Sequence, residues 1–198
     1  MPLPNGEYDL APGTIVAIVT SLEMMAPPAR RPDPPNAPWT VRHVERPDLG
    51  WFRDLFRRIG GDLFWVSRLT LSDKLLADVI HHPKIEVRAL ELDGRAEGLL
   101  ELDFREPGVC ELSFFGVTPA LVTSGAGRFL MNRALDVVWA RPGINRFWVH
   151  TCTLDHALAL PFYIRSGFAP FKRHLEIVAD PRLTGVLPRT AAPQFPVI

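Results

Sequence analysis

The residues best suited to chemistry concentrate between Cys110 and Phe168. Cys110-Glu-Leu-Ser-Phe-Phe-Gly-Val-Thr-Pro119 reads as a strand, and Val122-Thr-Ser-Gly-Ala-Gly-Arg128 follows it as a loop opening a helix. The first-turn amides of such a helix have no intrahelical partner and sit at the positive end of its dipole. Gly125 and Gly127 let the backbone approach a phosphate closely, so the loop is suited to cradling a pyrophosphate. The same glycines also fit a tight turn packed on a sheet. A dinucleotide site is disfavoured, because the third glycine of Gly-x-Gly-x-x-Gly is absent. His150 titrates in a range useful for proton transfer, and is equally readable as a hydrogen-bonded structural histidine. Cys152 has no neighbour that would activate a thiolate and reads as a small packed residue. The two cysteines, Cys110 and Cys152, fall on neighbouring strands roughly 20 Å apart, too far for a disulfide. They are also too few for a four-ligand zinc site, and no metal is expected.

Those residues need elements to hold them. Residues 14–22 are rich in Ile, Val and Thr and read as a strand that must pair with the main sheet or with another subunit. Half of the 20 prolines fall within the first 47 residues, and residues 26–38 read as an extended spacer. Residues 39–45 alternate as a strand. Pro47-Asp48 opens a helix carrying Trp51, Phe52, Leu55, Phe56 and Ile59, stopped by Gly60-Gly61. Ser72 caps a second helix. Asp93-Gly94 joins strands 85–92 and 95–104 in a hairpin. Strand 109–117, helix 125–140 and strand 146–152 form a strand–helix–strand unit, which makes a parallel pair. Helix 156–166, with Asp155 as its cap, and strand 168–178 complete the pattern. It amounts to an α/β (α+β) mixed sheet, mostly antiparallel, with about four helices. Three units are expected: residues 1–38, a domain over 39–180, and an irregular tail over 181–198.

Taken with Thr151-Cys-Thr-Leu-Asp-His-Ala-Leu-Ala-Leu-Pro-Phe-Tyr-Ile-Arg-Ser-Gly-Phe168, the glycine loop becomes specific. The two blocks, in this order, resemble the GNAT-type N-acetyltransferase superfamily. The family's Gln/Arg-x-x-Gly-x-Gly/Ala loop corresponds to residues 122–127, with Val122 at the position that is usually Gln or Arg. Its Tyr-x-x-x-Gly-Phe pattern corresponds to Tyr163-Ile-Arg-Ser-Gly167-Phe168. The resemblance covers roughly residues 39–180 and implies a GNAT-like fold with one splayed parallel strand pair.

The resemblance further implies acetyl-CoA as cofactor. It implies transfer of the acetyl group to a primary amine of a small-molecule or peptide acceptor, by direct attack in a ternary complex. Tyr163 stands where the family places its general acid. Glu111 stands where some members place a carboxylate base, with His150 as the rival. Cofactor contacts would come from a bulged strand at Phe115, Gly116 and Val117, from Ser124, Gly125, Ala126, Gly127 and Arg128, and from His156. The loop between the first two helices lines the acceptor site in the family, which brings in Trp65 as an aromatic wall and Arg68 as a carboxylate binder. A non-catalytic acyl-CoA-binding module is the alternative.

Composition narrows the rest. The 198 residues carry 22 basic and 22 acidic side chains, which gives no electrostatic footprint for nucleic acid or an anionic membrane. No apolar run nears the ~18–20 residues of a membrane span. No basic segment precedes an apolar one at the start, so a cytoplasmic location is expected. A monomer with the first strand in its own sheet and a homodimer exchanging it are both left open.

Overall fold

The apolar segments of the chain condense into one sheet of seven strands: β1 (Thr14–Met24), β2 (Thr40–His43), β3 (Ile85–Leu92), β4 (Arg95–Asp103), β5 (Val109–Val117), β6 (Arg146–Cys152) and β7 (Ala169–Ala179). Four helices accompany it: α1 (Leu49–Gly60), α2 (Asp73–Ile80), α3 (Ala126–Ala140) and α4 (Ala159–Arg165). These are features of a computed structural model that describes residues 4–198. The strand order is β2-β3-β4-β5-β6-β1-β7. Every neighbouring pair is antiparallel except β5–β6, which is parallel. Among the described residues no helix is long and apolar enough to cross a membrane.

Local chemistry sets the element ends. The Asp48 carboxylate accepts from the Trp51 amide and starts α1, and the Ser72 hydroxyl accepts from Leu75 and starts α2. Asp93 and Gly94 take φ of 51° and 77°, the left-handed pair a two-residue hairpin needs. One face of the sheet packs Leu100, Leu102, Leu112 and Phe147 against Leu130 and Ala134 of α3. The other packs Val87, Ala89 and Leu99 against Phe52, Phe56 and Leu76 from α1 and α2.

β1 pairs within its own sheet, between β6 and β7. Its Ala17, Val19 and Leu22 are buried, while Ile18 is exposed. Residues 26–38 are not a free spacer. They lie across α3, where the Asn132 side chain donates to Arg31 O and to Asp33. Arg133 also pairs with Asp33, and Arg30 with Asp136. The tail beyond β7 has no helix or strand, but it is pinned. Buried Arg182 pairs with Asp180 and donates to the Ala191, Ala192 and Phe195 carbonyls. The Ala192 amide then bonds the Asp62 carboxylate in the turn after α1.

Two local expectations are corrected. α4 begins at Ala159 rather than at 156, and Asp155 does not cap it. Residues 153–158 form a turn in which His156 Nδ1 accepts from the Leu158 amide. Pro161 then falls in the first helical turn, where its missing N–H costs nothing. The bulge in β5 sits at Ser113, not at residues 115–117. The β4–β5 register shifts between Leu102↔Leu112 and Glu101↔Phe114, while Phe115, Gly116 and Val117 stay paired with Leu100, Leu99 and Gly98.

Candidate active site

β5 and β6 are hydrogen-bonded only from Val109↔Arg146 to Glu111↔Trp148. Beyond that point both strands continue but separate, β5 for six more residues and β6 for four. The main-chain groups of β5 that face β6 after the bulge are left without a strand partner. The resulting fork is the throat of a cleft of about 1510 Å³, larger than a typical single-ligand pocket of ~300–1,000 Å³.

Glu111 and His150 stand at the root of the fork. His150 Nδ1 lies 3.9 Å from Glu111 Oε1. Burial pushes the Glu111 carboxyl above its ordinary value, and the Asp103 carboxylate paired opposite it pushes the same way. Burial holds the His150 imidazole below its ordinary value. Burial thus disfavours the charged form of both groups.

Tyr163 enters from α4 and lines the same cleft. It is 6% exposed and ringed by Phe115, Phe162 and Phe168 at centroid distances of 6.1, 5.6 and 5.8 Å. Burial raises its hydroxyl far above the ordinary phenol range, so it stays protonated.

The glycine loop turns into α3 as expected. Gly125 has φ +99°, and a Cβ there would come within 2.9 Å of Pro34. The Ser124 hydroxyl donates to Leu121 O and accepts from the Ala126 amide. Ser124 and Ala126 are thus occupied inside the loop. The amides of Gly127 and Arg128, next in the first turn, remain the donors for an anion. Arg128 lines the cleft, and its buried Nε has no hydrogen-bond partner. His156 lies on the cleft wall, exposed. An unpartnered buried donor, free first-turn amides and a parted strand pair are the features that a phosphate-bearing pantetheine thioester would fill.

Trp65 and Arg68 border the cleft from the turn after α1, but neither is free. The Trp65 indole donates to Asp155 Oδ1 at 3.2 Å and packs on Phe56 and Phe114. Arg68 is held by Glu101 at 2.6 Å, and Glu101 is 0% exposed. Burial raises the Glu101 carboxyl while Arg68 opposes the shift. The carboxylate that Arg68 holds in this structure is the internal one of Glu101. Asp155, read from sequence as a helix cap, instead ties the end of β6. Its Oδ2 accepts from Thr151 Oγ1 and the Cys152 amide while Oδ1 holds Trp65. Only the three-dimensional closeness of residues 65 and 155 reveals that role.

Comparison with known proteins agrees with this geometry. Residues 40–168 match the acetyltransferase (GNAT) family. No curated protein matches the sequence. A GCN5-related N-acetyltransferase from Sphaerobacter thermophilus superposes with a TM-score of 0.59 at 15% identity, over 82% of this chain and 51% of that one. A conserved Staphylococcus epidermidis protein of unknown function gives 0.57 at 12% identity, over 85% and 63%. The ribosomal-protein-S18-alanine N-acetyltransferase of Escherichia coli gives 0.55 at 17%, over 70% and 90%. This chain thus spans between half and two thirds of the length of the first two.

Proposed function

The chain belongs to the acetyltransferase (GNAT) family, and from that premise we propose that it moves an acetyl group from acetyl-CoA to a primary amine held in the same cleft. The observation that carries the reading is the fork. The pairing of β5 and β6 stops at Glu111↔Trp148, which leaves proton-accepting groups at its root and a protonated tyrosine on its wall.

When bound, acetyl-CoA supplies the thioester whose carbonyl carbon the amine attacks. The Gly127 and Arg128 amides would hold its diphosphate. Unpaired main-chain groups of β5 would hold its amide-bearing arm in the manner of a further strand, and a β5 amide would polarise the carbonyl. Glu111, or His150 beside it, takes the proton from the attacking amine. Tyr163 donates its phenolic proton toward the departing sulfur. No covalent bond to the protein is needed, so both substrates occupy the cleft together, which its size allows. Trp65 forms an aromatic wall of the acceptor side, steadied by Asp155, and Arg68 with Glu101 forms its floor.

The test is release of free CoA with a panel of amines, in wild type and Tyr163→Phe. We expect amine-dependent release, with kcat falling about 10²-fold in the variant and acetyl-CoA affinity unchanged. The loss should shrink above pH ~8.5, where a thiolate leaves without a proton. Acetyl-CoA binding without release to any amine would support the non-catalytic acyl-CoA module instead. Val122 is the one residue that favours that reading, since it brings no side-chain donor to the phosphate loop.

A further inference from the structure

The proline-rich segment 26–38 is seated against one glycine of each sequence block. Pro34 covers Gly125, and Pro28 lies so close to Gly167 that a Cβ there would meet it at 2.6 Å. Gly167 has φ +105°. Three charged side chains project from this strap. Arg30 pairs with Asp136, and Asp33 is taken by Asn132 and Arg133. Arg31 alone has no carboxylate partner among the described residues, although its carbonyl is fixed by the buried Asn132.

Arg31 lines the active-site cleft together with Arg128 and Arg165, and neither of those is ion-paired among the described residues. Arg31 and Arg128 also share a small cavity of about 10 Å³ with Asn132 and Ser166, room for about one water. Guanidinium groups on one cleft wall without a counter-charge repel one another, Arg31 and Arg128 most directly, and a phosphate bound to them reverses that cost. The loop amides already serve one diphosphate, so these cations are surplus to it.

We propose that the strap completes the cofactor site and that Arg31, with Arg128 and Arg165, binds the 3′-phosphate of coenzyme A. The inference rests on the acetyl-CoA reading above. It makes the N-terminal segment a determinant of which form of the cofactor is accepted.

The test is equilibrium binding of acetyl-CoA and of its 3′-dephospho form to wild type, Arg31→Gln and Arg31→Lys. Wild type should prefer the phosphorylated form by about tenfold. Arg31→Gln should lose most of that preference by weakening acetyl-CoA alone, and Arg31→Lys should keep part of it. Unchanged ligand-free melting would show that the strap stays seated. Equal weakening of both ligands, or no change in either, overturns the assignment of Arg31. Failure of wild type to bind either form overturns the acetyl-CoA reading itself.

Discussion

Glu111 illustrates how function and stability oppose each other at one residue. Burial and the facing Asp103 raise its carboxyl above the ordinary value, so the folded protein binds that proton more tightly than the unfolded chain does. Its contribution is therefore fully favourable below the unfolded value and is lost as pH rises through the folded one. Glu111→Gln removes the charge and should raise Tm at pH 7 by about 2–4 °C. The gain should vanish near pH 4, as melting curves at the two values would show. Release of CoA should fall in the same variant. Some residues of this site were legible in the chain. Glu111, Gly125 and Tyr163 stand at fixed short distances from sequence blocks that can be read directly. Asp155 was misread as a helix cap, and the internal partner of Arg68 was not foreseen. Their partners, Trp65 and Glu101, lie 90 and 33 residues away, and no local pattern encodes such a pairing.

At the scale of elements, the glycine loop is the point where backbone conformation and packing meet. Gly125→Ala places a side chain both at φ +99° and within 2.9 Å of Pro34. It should cost about 1–3 kcal/mol of stability and lower acetyl-CoA affinity, read by denaturant melts and titration of the same preparation. Helix caps, the Asp-Gly hairpin and the strand–helix–strand unit followed from local residue chemistry. The bulge did not, because its position depends on which residues of β4 face β5. Gly116 drew attention to residues 115–117, yet the extra residue is Ser113. Composition also marked the proline segment as extended without showing that α3 carries Asn132 and Arg133 to receive it.

At the scale of the whole molecule, β1 and the tail beyond β7 are both built into the domain. The tail fastens the turn after α1 through Arg182, which is 3% exposed and saturated by Asp180 and three carbonyls. Arg182→Ala leaves a buried carboxylate unpaired and should cost about 3–5 kcal/mol, visible as a drop in Tm of about 10 °C. The other end supplies β1, whose Ile18 amide bonds the Thr153 hydroxyl 135 residues later. The ribosome therefore delivers β1 well before either of its neighbours exists. At ~5–20 residues per second, this apolar ribbon waits roughly seven seconds or more for a partner strand, and the sheet can be closed only after β6 and β7 have emerged. Closure of this sheet is therefore a late, non-local step of folding.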